Sequence, residues 1–358
     1  SSIMSAGIHT NNCAVFIGPL SDSFPVWFRS KSFSAVFVLS DKNTNRYCFS
    51  YLQKLLEGYA PVHSFVVEPG ESRKNLETCV LIWSEMKNTG LDRNSLVVNL
   101  GGGVIGDMGG FCAIAWKRGV EFIQIPTTLL AMTDAAIGGK TGVDFDGIKN
   151  TVGVIRQPAA VFTDPFFLKT LPDRELRSGM AEVFKHAAIS GELSSGWIDS
   201  LARFESSEPD WTEILTRSVS VKTDIVRDDP DEKGVRMLLN MGHTIGHAIE
   251  SVFLDSNHPL THGEAIAIGM ICESYIAQLH KITVPDKDLL TKYLLKIFEL
   301  PQLSGELTGT LWHLMLQDKK NASGNVRITL PDAPRSMRVL NISRSDLERG
   351  LEYYNSLI

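Results

Sequence analysis

Apolar and polar positions along this chain follow two rhythms, and the change falls near residue 172. In the first part, short apolar runs stop at turn residues. Residues 35–39 close on Ser40-Asp41, residues 62–67 on Pro69-Gly70, and residues 95–100 run straight into glycines. Runs of this length with such ends predict buried strands, and 121–126 and 160–163 read the same way. Between them lie helical spacings at 46–57 and 75–88, the second with Leu76, Val80, Trp83 and Met86 as its apolar positions. Strands separated by helices predict a parallel or mostly parallel sheet with helices on its faces.

Beyond Leu171-Pro172 the period lengthens. Helical spacing runs through 174–189, 211–226, 242–253, 263–280, 286–298 and 343–354, and strand signals are confined to 326–330 and 337–340. The pattern predicts two domains, an α/β domain over 1–172 and a mainly helical one over 173–358.

Composition narrows the function classes. With 43% hydrophobic residues the chain can bury large cores without a disulfide or a metal to hold them. A formal net charge of −6 gives no electrostatic case for nucleic acid or an anionic membrane as partner. The five cysteines are scattered and form no C-x-x-C pair, which suits reduced, cytosolic thiols. Ser1-Ser2-Ile3-Met4 lacks a basic leader, and the most hydropathic stretch, 97–116, carries Asn99, Asp107 and six glycines, which argues against a membrane span. A cytoplasmic protein is expected.

The densest chemistry lies in 239–250, where His243 and His247 stand four apart and share one helical face, with His262 following. Spacing alone makes both His243 and His247 metal ligands, and leaves His262, His258 and His186 competing for a further place. Thr261 and Glu264 fit a capping box, so Glu264 reads as a cap rather than a ligand. Upstream, Glu182 and Lys185 share a face of an apolar helix, and a partly buried glutamate needs a partner such as a metal. Lys222, Arg236, Lys319 and Lys320, with Glu232 near them in sequence, each read singly as solvated charges. Together beside a metal they suit a substrate with two anionic groups, such as a phosphate and a carboxylate.

Two stretches suit a nucleotide. Residues 101–107 contain G-x-G-x-x-G between a strand and a helix, either a tight turn or a pyrophosphate seat at a helix N-terminus. Asp41, ending an earlier strand, suits the ribose better than any acid downstream of the glycines. Residues 126–130, Asp134, 138–142 and Lys149-Asn150 supply hydroxyls, glycines and lysines. Gly139-Lys140-Thr141 is like the end of a P-loop, but the leading glycine of that motif would fall at Asp134, which excludes ATP hydrolysis on this pattern.

Taken together, these residues resemble the 3-dehydroquinate synthase family of the sugar-phosphate cyclase superfamily. The matching runs are 101–107, Arg118-Gly119, 126–130, 134–142, Lys149-Asn150, 171–175, 181–185, 239–250, 262–265 and Asp318-Lys319-Lys320, in the family's order. Residues 1–94 match loosely, mainly at Asp41 and at 68–71 with Lys74. The resemblance implies a Rossmann-like NAD-binding domain and a helical metal domain with the active site in the cleft between them. It implies zinc, with cobalt as the alternative ion, on Glu182, His243 and His262, and it moves His247 to a proton-handling role. Lys140, Asn150, Lys185, Lys222, Glu232, Arg236, Asn240 and Lys320 (or Lys319) would serve substrate and catalysis. Arg118 would reach the phosphate in a neighbouring subunit, making a homodimer. Around NAD would fall Asp41, Glu71, Lys74, Gly102, Gly103, Val104, Asp107, Thr127, Thr128, Leu130, Asp134, Lys140, Lys149, Phe167, Thr170, Leu171 and Glu175.

The implied reaction takes 3-deoxy-D-arabino-heptulosonate 7-phosphate to 3-dehydroquinate and phosphate. NAD oxidises a secondary alcohol, the new ketone acidifies the adjacent C–H, phosphate leaves, the hydride returns, and an intramolecular aldol closes the ring. Two related readings remain: another sugar-phosphate cyclase, or a metal-dependent polyol dehydrogenase of the glycerol dehydrogenase type. Lys222, His247 and Lys320 favour a carboxylated substrate, and Glu182-x-x-Lys185 with the lysine set speaks against the dehydrogenase.

Overall fold

The apolar runs of the first part become the strands of one sheet. In the computed structural model, which describes residues 8–10, 13–318 and 324–358, the strands are β1 (Ile8–Thr10), β2 (Cys13–Ile17), β3 (Val36–Asp41), β4 (Val62–Val67), β5 (Leu96–Gly101), β6 (Glu121–Pro126), β7 (Lys140–Phe145), β8 (Ile148–Ile155), β9 (Ala160–Thr163), β10 (Val326–Ala333) and β11 (Ser336–Ile342). Seven of them form a sheet in the order β1-β2-β9-β6-β5-β3-β4. β1 runs antiparallel to β2, and every other pair is parallel. Helices cover parallel strands on both faces, which is why β3 and β5 read as apolar runs, broken within β5 by the buried Asn99. Phe37, Leu39, Val97, Ile105, Met108 and Phe122 lie in their shared core. The chain divides into two compact units, Ser1–Pro172 and Asp173–Ile358.

β5 passes through its glycines into the helix Gly103–Ala115. That helix lies tight on the sheet, because a Cβ on Gly109 would sit 1.9 Å from Asn99 Oδ1. The helix Leu76–Asn88 buries Cys79, Ile82 and Met86. Val80, expected among its apolar positions, is 55% exposed. The stripe 79-82-86 takes the inner face and turns Val80 outward. The stretch at 140–155, read from sequence only for its anion chemistry, is the antiparallel hairpin β7–β8. Asp146 (φ 52°) and Gly147 (φ 76°) form its two-residue turn with both φ positive, the arrangement for which Asp-Gly is suited.

The second unit is built from helices and the antiparallel pair β10–β11. Its core helix His262–Leu279 starts with the expected capping box between Thr261 and Glu264. It packs against the helix His243–Leu254 through glycines; a Cβ on Gly269 would lie 2.0 Å from Gly242 O. The start of His243–Leu254 is unusual. Its N-cap is Gly242 at φ 78°, with no side chain to cap the helix. A carboxylate from the neighbouring helix does so instead: the N–H groups of Gly242 and Ile245 donate to Glu273 Oε1 and Oε2 at 3.0 and 3.1 Å. Among the described residues no helix is long and apolar enough to cross a membrane.

Burial pushes Glu273 from its ordinary 4.5 up to about 8, against the backbone N–H donors that hold it down. The folded state therefore holds this proton more tightly than the unfolded chain does. The stabilisation is fully present below pH 4.5 and is lost as pH rises through about 8. Compared with Glu273→Gln, which does not titrate, the wild-type chain is expected to lose relative stability between those values and to run parallel outside them. Urea unfolding across a pH series checks this, and a gap that stays constant from pH 4 to 9 counts against it.

Candidate functional site

The helix Asp173–Ser190 is buried from Ser178 to Ile189, and within it Glu182 and Lys185 are 0% and 1% exposed. Their spacing puts both on one face, and the Lys185 ammonium lies against Glu182 Oε2. The other oxygen faces two histidines. His262 Nε2 is 2.9 Å from Glu182 Oε1, and His243 Nε2 is 3.2 Å from it. Each histidine is the first residue of its helix. Three helices thus bring one carboxylate oxygen and two imidazole nitrogens within 4.8 Å of one another.

Their surroundings push the two imidazoles in opposite directions. Burial, followed by the Lys185 ammonium, lowers His243 to about 3. Burial works the same way on His262, but the carboxylates of Glu182 and Glu250 outweigh it and push His262 up to about 10. Burial would raise Glu182, yet Lys185, His243 and His262 hold it well below the ordinary carboxylate range. Glu250 Oε1 lies 3.4 Å from His262 Nδ1 and leaves Nε2 directed at Glu182.

The donor set fits a divalent metal. His243 Nε2 is buried and has no hydrogen-bond partner among the described residues, although Glu182 Oε1 is near it. A buried ring nitrogen without a partner is costly unless something binds it. Two nitrogens and a carboxylate oxygen are a donor set that zinc accepts, with room for a further ligand. A second potential group, His247, Glu250 and His262, shares His262. No group of this kind among the described residues joins His243 to His247, as i,i+4 spacing had suggested; their rings stand 4.8 Å apart, edge to face. His186 instead pairs through Nδ1 with Ser218 Oγ at 2.7 Å, and His258 is exposed.

In the same unit, Lys222 and Arg236 are each 8% exposed, and Asn240 Nδ2 donates to Glu232 Oε1 at 3.1 Å. Asp229 gathers the N–H groups of Lys233, Gly234 and Arg236 and so shapes the loop before the short helix Val235–Asn240. Glu175 is exposed. Lys319 and Lys320 lie outside the described residues.

In the first unit a recess is lined by Gly101, Gly102, Gly103, Gly106 and Pro126 at the start of the helix Gly103–Ala115. Side chains fit it poorly: a Cβ on Gly101 would lie 2.7 Å from Ile105 Cβ, and those on Gly102 and Gly103 would crowd Thr128 and Ala135 at 3.2 and 3.3 Å. Open backbone at a helix N-terminus is what a pyrophosphate requires. Thr127 is buried, and Thr128 Oγ1 accepts the N–H of Ala131 as the chain turns toward Leu130 and Asp134. Lys74, 4% exposed, joins Asp107 at 2.8 Å to Asn150 at 2.6 Å. That links a residue expected at NAD to one expected at substrate. Asn150 has φ 54°, and its N–H donates to Asp144 at 2.8 Å. Asp41 caps a short helix by accepting from Asn43 and Thr44. Burial raises Glu71 above its ordinary value. Phe167 is buried, Leu171 half-buried, and Val104 partly covered, while Arg118, Lys140, Lys149 and Thr170 are exposed.

Sequence reading assigned no role to Glu250 or Glu273. Glu250 had a usable signal, since it follows His247 by one turn on the same helix. Glu273 had none, because the group it caps lies on another helix.

One unit thus carries a carboxylate–dihistidine donor set that could hold a metal ion, and the other a Rossmann-like sheet with a glycine turn. Family models describing the N-terminal and C-terminal parts of 3-dehydroquinate synthase match residues 64–178 and 179–321. A 3-dehydroquinate synthase of Parabacteroides distasonis is 38% identical over 332 residues, covering 91% of this chain and 92% of that protein. The chain belongs to the 3-dehydroquinate synthase family. Its fold is similar to that of 2-deoxy-scyllo-inosose synthase complexed with carbaglucose-6-phosphate, NAD+ and Co2+, with TM-score 0.84, 25% identity and coverage of 95% and 96% of the two chains. It is also similar to 2-epi-5-epi-valiolone synthase of Streptomyces hygroscopicus with NAD+ and Zn2+ bound, with TM-score 0.84, 26% identity and coverage of 98% and 99%.

Proposed function

We propose that this chain converts 3-deoxy-D-arabino-heptulosonate 7-phosphate to 3-dehydroquinate and phosphate, with NAD and a divalent metal, zinc or cobalt. The observation that carries the metal part is the convergence of His243 Nε2 and His262 Nε2 on one buried oxygen of Glu182. Identity of 38% across 91% of the chain to a 3-dehydroquinate synthase supports the substrate. A metal held by Glu182, His243 and His262 would lend Lewis acidity to a substrate oxygen, and NAD would accept and return a hydride.

The chain's own residues do the rest. Lys185 balances the Glu182 charge inside the helical core, so the carboxylate can stay ionised there. His247, with its ring 4.8 Å from that of His243 and 6.0 Å from that of His262, is placed to take and return a proton beside the metal. Lys222 and Arg236 are buried cations that suit a carboxylate and a phosphate, and Glu232 holds the Asn240 amide in place for a substrate hydroxyl. The open glycine turn seats the NAD pyrophosphate, and Lys74 joins Asp107 of that region to Asn150. In this reading the protein is a cytoplasmic homodimer in which exposed Arg118 serves the partner's substrate. Five buried free cysteines suit a reducing compartment.

The test is phosphate release from the heptulosonate phosphate with substoichiometric NAD. Release should stop with a chelator and return with zinc or cobalt. Failure to release phosphate, or stoichiometric build-up of NADH with a polyol instead, overturns the reading in favour of another cyclase or a polyol dehydrogenase.

A further inference from the structure

Glu273 is 0% exposed and accepts two backbone N–H groups from a different helix. The group it caps lies on another helix, so its two hydrogen bonds tie two helices together as well as capping one. Its bonds have a particular placement. Oε1 takes the N–H of Gly242 and Oε2 that of Ile245, and His243 lies between these two anchored residues. Two anchors on one carboxylate set both the height and the rotation of the helix start.

No local residue could replace this grip. The N-cap position must be glycine, because a Cβ on Gly242 would lie 2.5 Å from Met270 Cγ, 2.9 Å from Met270 N and 3.0 Å from Ile266 O. Its φ of 78° also favours glycine. A serine or aspartate cap is therefore barred, and the acceptor comes from the helix that begins with His262.

Charge adds a second reason. Both histidines stand at helix N-termini, whose partial positive charge opposes a cation nearby. Glu264, in the capping box, offsets this at the His262 helix, and at the His243 helix Glu273 satisfies the N–H groups of Gly242 and Ile245 from which that partial charge arises.

We propose that Glu273 is a positioning residue of the metal centre: held on the His262 helix, it fixes the start of the His243 helix and thereby the placement of His243 Nε2. The proposal rests on reading Glu182, His243 and His262 as the metal ligands.

Titration of the full chain with Co2+ alone tests it, read by the visible d–d spectrum and the dissociation constant. Far-UV circular dichroism and NAD binding report the fold. Glu273→Met is expected to weaken Co2+ binding roughly 10- to 100-fold and to change the band shape. Glu273→Gln, nearly isosteric but turning an N–H donor toward one of the anchored amides, should shift both in the same direction by less. A purely structural role would lower the melting temperature and leave spectrum and affinity alone, and that result in a folded variant overturns the proposal. If Glu273→Met does not fold, Glu273→Gln decides by the same criterion. A wild-type chain that binds no Co2+, or a Glu182→Gln variant that binds it normally, removes the ligand assignment and this proposal with it. Normal wild-type binding with unchanged Glu273 variants removes this proposal alone.

Discussion

Glu182→Gln is expected to yield a protein that holds no stoichiometric zinc and whose activity falls by roughly a thousandfold or more, since a metal's Lewis acidity is worth several kcal/mol and each 1.4 kcal/mol is about tenfold. Glu182 Oε1 is the oxygen on which His243 and His262 converge, and glutamine replaces it with a neutral group of nearly the same shape. The substitution has a second effect. Lys185, 1% exposed, loses the counter-charge that lies against it. Removing one partner of a buried ion pair costs about 3–5 kcal/mol. Loss of metal could therefore follow from loss of the fold, and the single variant does not separate the two. The double variant Glu182→Gln/Lys185→Met does. It removes both buried charges, and replacing a buried pair with neutral groups of similar volume is often close to neutral for stability. Its urea midpoint should return toward the wild-type value while zinc content after dialysis stays near zero. NAD binding, assigned to residues 1–172, should persist in both. A double variant that keeps one zinc per chain means that the ligand is not Glu182.

The contrast between Glu182 and the histidine pair shows where sequence reading reaches its limit. Apolar runs ended by turn residues marked β3, β4, β5, β6 and β9; β3, β5 and β9 are buried almost throughout and show little polar alternation, whereas the edge strand β4 is partly exposed. The helix Leu20–Arg29 was hidden by Pro25 inside it, and the hairpin β7–β8 by its own glycines and lysines. Asp146-Gly147 is the one local signal of that hairpin, a dipeptide suited to a two-residue turn. In the site, spacing on one helix could see His243 with His247. It could not see that a carboxylate from Asp173–Ser190 faces His243, because that depends on how three helices pack. Helical spacing marked Glu182 as a partly buried carboxylate in need of a partner, and the family resemblance placed it with His243 and His262. Neither route indicated Glu273, since Gly242 shows no capping residue and its acceptor is 31 positions away. The glycines that let these helices approach are likewise silent in sequence until their neighbours are known.

Gly263→Ala turns that close approach into a measurement. Gly263 is the second residue of the helix His262–Leu279, and a Cβ there would lie 2.2 Å from Ser178 O, 2.4 Å from Ser178 Cα and 2.6 Å from Ser178 C. These are backbone atoms of the helix that carries Glu182, so no rotamer change relieves the clash. Ordinary contact requires about 3.5 Å, so the start of the His262 helix must retreat by about 1 Å. The hydrogen bond from Gly263 N to Ser178 Oγ, 2.9 Å, would be stretched or lost with it. His262 is the adjacent residue, and its Nε2 would leave the 2.9 Å approach to Glu182 Oε1. Misplacement by about 1 Å at a reacting centre can cost about 100-fold in rate, and overpacking a core costs about 1–3 kcal/mol. The variant is expected to lose both, with helix content unchanged because the Thr261–Glu264 capping box remains. Gly196→Ala is the control. Its Cβ would meet nothing within 4 Å, and it is the first residue of the helix Gly196–Ala202, where alanine is tolerated as well as glycine. That variant should match the wild type in stability and activity. Measuring kcat/KM, zinc affinity and the urea midpoint for the pair decides the matter. Wild-type activity and metal affinity in Gly263→Ala would show that contact with Ser178 is not what places His262 against Glu182.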